Sequence, residues 1–177
     1  MKKRNMNIRD LCLIALFAAL LSVSAFVSIP LAVPITLQTL VLFSSMFILG
    51  GKKTTLVTLL YLIIGAVGVP VFSGFTGGIA RLFDATGGYI FGMLLAALLY
   101  WLLEPILPKS RLTTLTAVSL SLLLLYASGT FWYAFVYSDG AESLGAVFTV
   151  CVLPFIIPDI LKLTLAYIIA KRMPKLI

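Results

Sequence analysis

Residues 11–29 form an uncharged and almost wholly apolar run, and this run constrains the fold more than any other feature. A helix of that length crosses the hydrocarbon core of a bilayer, which is about 30 Å thick. Further apolar runs follow, and 62% of all residues are hydrophobic, against roughly 45–50% in soluble domains. Only 11% are charged, where a soluble protein has about 25%. The sequence therefore excludes a water-soluble globule and predicts a polytopic membrane protein.

Six membrane-spanning helices are predicted, separated by segments rich in proline, glycine or charge. The predicted spans cover residues 11–29, 35–49, 54–69, 89–103, 112–137 and 158–171. Residues 144–153 are predicted to form a short re-entrant or interfacial piece between the last two spans. We therefore expect one integral membrane domain over residues 1–177, an all-α bundle of six transmembrane helices.

The basic residues favour one orientation of this bundle. If both termini are cytoplasmic, the inner segments carry Lys2, Lys3, Arg4, Arg9, Lys52, Lys53, Lys109, Arg111, Lys171, Arg172 and Lys175. The outer segments then hold the basic residue Arg81 with the acids Asp84, Asp139 and Glu142. This distribution satisfies the positive-inside rule. The net charge of +7 therefore indicates topology, and nucleic-acid binding is not predicted.

Catalysis is not expected, because the residues that usually carry it are missing or scattered. The chain has no histidine, and its six acidic residues are spread along its length, which argues against triads and clustered metal ligands. Cys12 and Cys151 lie far apart in apolar stretches, so neither a disulfide framework nor a Cys-rich metal site is predicted. The sequence also lacks a P-loop pattern. We expect a chain that is not an enzyme and has no cofactor of its own.

Asp159 and Lys162 are ionisable residues within the last apolar region, where a charge is costly and usually faces a cavity or a partner. Because proline suits the first turn of a helix, we expect the final helix to begin near Pro158. Asp159 would then lie in the first turn, where the helix dipole stabilises a carboxylate, and Lys162 would follow at i+3 on the same face. The rise to the cytoplasmic Lys171 places the pair in the outer half of the membrane.

Two interpretations of this pair stay open. It is either a structural ion pair that joins two helices, or it lines an outward-facing pocket for a small molecule. A carboxylate accepts N–H bonds and an ammonium donates to a carbonyl, so the pair suits a neutral urea-like or amide-like group. The second interpretation is favoured because the glycine-rich loop and the interrupted last helix converge on the same side.

The glycine-rich connection supplies further candidates for the pocket. Its glycines allow close approach of backbone to a ligand, and Phe72, Phe75 and Tyr89 are predicted apolar walls. Arg81 is predicted to bind a ligand carboxylate, or else to form an exposed i,i+3 pair with Asp84.

Smaller signals complete the candidate set. Gly87 lies at the predicted start of the fourth helix, whose N–H groups can receive an anion, unless the segment is merely a tight turn. Gln38 faces the pocket or bonds to a neighbouring helix. Ala15 and Ala19 form a small-xxx-small face on the first helix, a pattern typical of close helix contacts.

Taken together, these motifs resemble the BioY family, the biotin-specific S components of energy-coupling factor (ECF) transporters. The resemblance covers nearly the whole chain. It rests on the segments PITLQTL at residues 34–40, TGGY at 86–89 and PDILK at 158–162, together with the glycine-rich loop. One departure is that Asp84-Ala85 stands where the family usually has Gly-Pro, which bears on the loop conformation and on Arg81.

The resemblance implies a six-helix protein of the bacterial plasma membrane that binds biotin from outside and has no catalytic activity. It implies delivery through the transmembrane coupling protein EcfT, powered by two ATPase subunits that alone use ATP. By the same resemblance, Asp159 and Lys162 bind the vitamin, and Ala15 and Ala19 contact the coupling protein. The alternatives are an S component for another small vitamin, a non-transport intramembrane protein such as an enzyme, or a purely structural membrane subunit.

Overall fold

The computed structural model describes residues 6–31, 33–108, 110–138, 140 and 144–173. The chain is mostly helical, at 75%, in agreement with the predicted all-α class. Its helices are α1 (Ile8–Ser24), α2 (Gln38–Leu49), α3 (Gly51–Ala66), α4 (Ile79–Leu82), α5 (Gly87–Leu103), α6 (Arg111–Trp132, continued by the π-helix Tyr133–Tyr137), α7 (Leu144–Cys151) and α8 (Leu153–Arg172). Two short antiparallel strands, β1 (Ser28–Ile29) and β2 (Ile35–Thr36), connect α1 to α2.

The connection between α1 and α2 is longer at both ends than the hydropathy predicts. Helix α1 ends at Ser24 and not near residue 29, and α2 begins at Gln38 and not at residue 35. The residues between them form a hairpin in which Ser28 faces Thr36. Pro30 and Pro34 explain the difference, because proline removes a backbone donor and pushes the preceding residue toward extended conformations. Apolar composition here marks a packed connection and not a longer helix.

The last helix also differs from the prediction. Helix α8 begins at Leu153, so Pro154 occupies its first turn and Pro158 lies inside the helix. Asp159 is therefore not in the first turn, and the helix dipole does not account for its charge. A continuous helix keeps the other backbone groups paired in an apolar environment, which explains why it runs on through Pro158. The i,i+3 relation between Asp159 and Lys162 is unaffected.

Helix α5 lies at the centre of the packing, between α3 and α6. Helix α1 packs on α2 and α3, and α2 packs on α8, which also contacts α7. Glycines allow the closest of these contacts. A Cβ at Gly88 would lie 2.1 Å from Cβ of Trp132, and one at Gly92 would lie 2.3 Å from Oγ of Ser128. Helices α5 and α6 approach this closely because neither glycine has a side chain.

Polar side chains join the ends of three helices on one side of the bundle. Lys53 Nζ at the start of α3 lies 2.7 Å from Asp10 Oδ1 in the first turn of α1. Glu104, which follows α5, accepts a hydrogen bond of 2.8 Å from the backbone N–H of Gly51. The beginnings of α1 and α3 and the end of α5 therefore meet, as an alternating up-and-down bundle requires.

Two helical stretches are long and apolar enough to span a membrane, Arg111–Tyr137 and Gly145–Arg172, and Gln38–Leu49 and Gly87–Leu103 are shorter apolar helices. Large apolar side chains face outward on α8 and α6, with Ile157 72% and Leu123 61% exposed. Such surfaces suit lipid and not water. The structure thus supports a membrane location, whereas six spans and cytoplasmic termini stay predictions. Lys2, Lys3, Arg4, Lys109, Asp139, Glu142 and Lys175 lie outside the described residues.

Candidate functional site

Asp159 and Lys162 form a buried ion pair on α8. The Nζ of Lys162 lies 2.7 Å from Oδ1 of Asp159, and the two residues are 9% and 1% exposed, respectively. One helical turn separates them, so both point from the same face of α8 toward α2 and α6. A buried pair of opposite charges needs further hydrogen bonds to offset the loss of hydration.

Two residues from other helices provide these hydrogen bonds. Thr39 of α2 donates its hydroxyl to Asp159 Oδ1 over 2.7 Å and accepts from Lys162 Nζ over 3.1 Å. Tyr126 of α6 donates its hydroxyl to Asp159 Oδ2 over 2.7 Å. The charged pair on α8 is therefore joined to two other helices, α2 and α6, a constellation that sequence spacing did not reveal.

The pair lies in the wall of a cavity of about 660 Å³, a volume that includes solvent at its mouth. Pockets for small molecules commonly combine apolar walls with a few polar groups. The cavity has this character. Besides the pair, Thr39 and Tyr126, its lining residues are Val33, Pro34, Thr36, Gln38, Tyr61, Phe72, Ser73, Arg81, Thr86, Tyr89, Ile90, Met93, Leu125 and Phe155.

Gln38 provides a second polar position in the cavity, and both of its predicted roles occur. Its Nε2 donates to the hydroxyl of Tyr61 over 2.7 Å, and its Oε1 accepts from the hydroxyl of Thr36 over 2.9 Å. Tyr61 in turn donates to the carbonyl of Val71. Gln38 thus links α2 to α3 while its side chain lines the cavity.

Arg81 forms the predicted i,i+3 pair with Asp84 and also lines the cavity, whereas its binding of a ligand carboxylate stays a prediction. Its Nη1 forms an ion pair with Asp84, its Nε donates to the hydroxyl of Thr76 over 3.0 Å, and its side chain is 36% exposed in the cavity wall. Within the described part of the chain, Nη2 makes no hydrogen bond. Asp84, which departs from the family pattern, also accepts from the indole N–H of Trp132 through its backbone carbonyl. Arg81 is therefore oriented by its neighbours and keeps donors for a ligand.

The whole chain matches one protein family. A family model described as "BioY family" matches residues 1–177. The chain belongs to the BioY family. Among its relatives, the "Probable biotin transporter BioY" of Pyrococcus horikoshii is 41% identical over 170 residues, which are 95% of this chain and 98% of that protein. The "Biotin transporter BioY" of Thermotoga maritima is 38% identical over 169 residues, which are 95% and 97%.

A solved structure shares the fold of this BioY-family chain. It is described as "Crystal structure at 2.1 A of the S-component for biotin from an ECF-type ABC transporter". Its TM-score is 0.83 at 25% identity, and the match covers 95% of this chain and 94% of that chain. The predicted resemblance is thereby confirmed. The relatives are named as transporters, which also confirms the expectation of a family without enzymatic activity.

Six predicted site residues lie together in the cavity wall of this BioY-family protein. They are Gln38, Phe72, Arg81, Tyr89, Asp159 and Lys162. Phe72 is 2% exposed and packs edge-on against Tyr61. Tyr89 donates its hydroxyl to the carbonyl of Cys151 and stacks on Phe155, so it joins α5 to the α7–α8 junction. Contact of these residues with a ligand stays a prediction.

Phe75 and Gly87 do not line the cavity, so their predicted ligand contacts have no support. Phe75 lies in the tight turn closed by Phe72 and Thr76, has a φ of +56° and is 68% exposed. It stacks outward on Phe26, whereas Phe72 takes the inward position. A Cβ at Gly87 would lie 2.0 Å from the carbonyl oxygen of Leu82, so this glycine serves close packing.

Ala15 and Ala19 both lie on the exposed face of α1. Their neighbours Leu16 and Leu20 are exposed as well, at 54% and 44%. The small-residue face is thus exposed in the described part of the bundle, unlike the buried glycine face of α5. Contact with a coupling protein stays a prediction.

Sequence reasoning missed Thr39, Tyr126, Thr36 and Phe155. Thr39 lies one residue after Gln38, so a polar pair at the start of a membrane helix was an available signal. Tyr126 looks like any aromatic residue of an apolar helix. Across the described ranges, no group of three His, Cys, Asp or Glu side chains could hold a metal ion.

Proposed function

We propose that this chain is a biotin-binding S component of an ECF transporter that captures the vitamin from outside a bacterial cell. The observation that carries the proposal is the buried Asp159–Lys162 pair in the wall of a largely apolar cavity. Biotin offers a ureido ring, an apolar tail and a carboxylate. The names of the relatives and of the similar structure support the same ligand and a transport role.

The ureido ring is proposed to bind at the ion pair. Asp159 Oδ2 accepts one hydrogen bond from the described residues, from Tyr126, and so retains a lone pair for a ligand N–H. Lys162 Nζ donates to Asp159 and Thr39, which leaves one of its three N–H groups for the ligand carbonyl. A neutral urea matches this donor and acceptor without adding charge to an apolar site.

The apolar tail and the carboxylate then extend along the cavity. Phe72, Tyr89 and Phe155 supply aromatic walls, and Gln38 supplies an amide. Arg81, in the part of the wall formed by the glycine-rich connection, is proposed to bind the carboxylate through Nη2, because charge-assisted hydrogen bonds to guanidinium are strong and directional.

We propose that delivery into the cell requires the transmembrane protein EcfT and two ATPase subunits. The exposed Ala15–Ala19 face of α1 supports this role, since small residues let another helix approach closely. The chain is proposed to be a multi-pass protein of the bacterial plasma membrane with both termini in the cytoplasm, as the positive charges of the inner segments favour.

The first test is binding of radiolabelled biotin to the purified chain in detergent, with riboflavin and thiamine as competitors. We expect nanomolar binding that neither competitor displaces. Asp159→Asn and Lys162→Ala should weaken it by about 100-fold or more, because hydrogen bonds to buried charged groups contribute about 1.5–3 kcal/mol each. Lys53→Ala removes a comparable ion pair outside the cavity and serves as the matched control.

Each outcome of this test has a distinct meaning. Displacement of biotin by riboflavin or thiamine would mean that the proposed ligand has to be changed to that vitamin. Normal affinity in both Asp159→Asn and Lys162→Ala would contradict the assigned site. A folded wild-type chain that binds none of the three compounds would contradict biotin as the ligand and leave other vitamins to be screened.

The partner surface needs a separate measurement. Ala15→Leu with Ala19→Leu should leave biotin binding within twofold of the wild type, because both residues face away from the cavity. The variant should lose co-purification with EcfT and the ATPases and lose biotin uptake in cells. The control variant is Leu16→Ala with Leu20→Ala, which changes the same exposed region of α1 without adding bulk. Full uptake by the bulky variant would contradict this partner surface.

A further inference from the structure

We propose that Thr39 and Tyr126 are positioning residues that aim the Asp159–Lys162 pair at the ligand and so select a group with an N–H beside a carbonyl. This inference rests on the proposed function, because it concerns the same cavity. It goes further by assigning selectivity to two residues that the sequence analysis did not name as site residues.

The hydroxyl of Thr39 acts on both members of the pair at once. It donates to Asp159 Oδ1 over 2.7 Å and accepts from Lys162 Nζ over 3.1 Å. Thr39 lies on α2 and the pair lies on α8, two helices that pack directly on each other. A single hydroxyl therefore fixes the ammonium beside the carboxylate and directs one N–H of Lys162 away from the ligand.

Tyr126 fixes the other side of the carboxylate. Its hydroxyl donates to Asp159 Oδ2 over 2.7 Å, and its side chain lines the cavity. Oδ1 is occupied by Thr39 and Lys162, so the remaining acceptor position of the carboxylate is the second one on Oδ2. With both hydroxyls present, the pair offers one acceptor and one donor in fixed directions.

Removal of either hydroxyl frees part of this arrangement. Without Thr39, Lys162 can turn a second N–H toward the cavity, and Asp159 Oδ1 gains a vacant acceptor position. Without Tyr126, Oδ2 can accept from a new direction. A ligand that needs one donor and one acceptor then loses a pre-oriented site, and orientation contributes strongly to affinity.

The test compares biotin with 2-iminobiotin near neutral pH, where the protonated guanidine of the analogue carries N–H donors in place of the ureido oxygen and so offers Lys162 no acceptor. Dissociation constants are measured for the wild type, Thr39→Val, Thr39→Ser and Tyr126→Phe in detergent, up to millimolar ligand. Thr39→Val and Tyr126→Phe should weaken biotin binding roughly 10- to 100-fold, the range for hydrogen bonds to charged groups. Thr39→Ser keeps the hydroxyl, so its dissociation constant for biotin should stay within about threefold of the wild-type value.

Selectivity separates positioning from general loosening. The ratio of the 2-iminobiotin constant to the biotin constant should fall at least fivefold in Thr39→Val, because the Lys162 donor that this change misdirects is one that 2-iminobiotin cannot use. The ratio should stay near the wild-type value in Tyr126→Phe, because both ligands keep the N–H that Asp159 accepts. Thr164→Val, whose exposed hydroxyl bonds only the carbonyl of Ile160 on α8, should change neither constant. Tyr137→Phe, on an exposed ring outside the cavity, is the matched control for Tyr126.

The proposal has clear contrary outcomes. Unchanged biotin affinity in both isosteric variants, a ratio within twofold of wild type in Thr39→Val, or a loss in Thr39→Ser equal to that in Thr39→Val would overturn it. If Thr39→Val fails to fold, Tyr126→Phe carries the test. Absence of biotin binding by the folded wild type would instead overturn the proposed function, so the two failures are distinguishable.

Discussion

Asp159 and Lys162 owe their stability to each other and to two hydroxyl donors. The carboxylate is 1% exposed and receives hydrogen bonds from α2, α6 and α8. Removing one member of such a pair leaves a buried charge without a counterion, which costs more than the intact pair contributes. The residue pair is therefore coupled in stability as well as in its proposed binding role.

This coupling predicts the result of a double-mutant cycle. Lys162→Met should lower the free energy of unfolding by about 3 kcal/mol, because a neutral side chain of similar length leaves Asp159 unpaired. The double variant Asp159→Asn with Lys162→Met should cost clearly less than the two single changes together. Reversible unfolding in mixed detergent measures all four proteins. Additive costs would contradict energetic coupling between the two charges.

At the scale of elements, the contact between α5 and α6 depends on residues without side chains. Gly88 and Gly92 meet Trp132 and Ser128, and Gly129 of α6 meets the ring of Tyr89. Tyr89 also reaches the α7–α8 junction, so this contact helps to position the cavity wall. Larger residues here would separate two helices that jointly support the site.

Gly88→Ala should therefore destabilise the bundle. The new Cβ would lie 2.1 Å from Cβ of Trp132 and 2.8 Å from the carbonyl oxygen of Ser128, so backbone has to move. Overpacking of this kind costs about 1–3 kcal/mol. Gly145→Ala on α7 meets nothing within 4 Å and should be neutral or stabilising by up to about 1 kcal/mol. Thermal unfolding in detergent checks both, and equal stability of the two variants would contradict the packing argument.

At the scale of the whole molecule, the two sides of the bundle differ in chemistry. One side holds the Asp10–Lys53 pair and the Glu104–Gly51 hydrogen bond, and lies beside the exposed basic residue Lys52. The other holds the hairpin between α1 and α2 and the glycine-rich connection, next to the cavity. The positive-inside rule predicts that the first side faces the cytoplasm.

Single-cysteine labelling tests this orientation. In a background with Cys12 and Cys151 replaced by alanine, Phe75→Cys should react with a membrane-impermeant maleimide in intact cells, because Phe75 is 68% exposed on the side that is predicted to face outward. Arg172→Cys should react only after permeabilisation, since the end of α8 is predicted to be cytoplasmic. The opposite pattern would reverse the topology, and labelling of both in intact cells would contradict the predicted number of spans.

The sequence by itself determined the membrane location, the helical class, the family and the shared face of Asp159 and Lys162. These properties depend on local hydropathy and on a spacing of three residues within one helix, which need no knowledge of neighbours. Six of the site residues predicted from the sequence also line the cavity. Helix ends were less predictable, because apolar residues near Pro30, Pro34 and Pro154 pack equally well in a hairpin or a helix.

Only the tertiary structure decided which side chains meet across helices. Thr39 and Asp159 lie 120 positions apart, and Tyr126 and Asp159 lie 33 apart, so their hydrogen bonds depend on how α2, α6 and α8 pack. Packing likewise turned Phe75 outward and reserved Gly87 for a backbone contact. Hydropathy is a property of each segment alone, whereas a binding cavity is a property of the distances between segments, and those distances arise when the helices assemble.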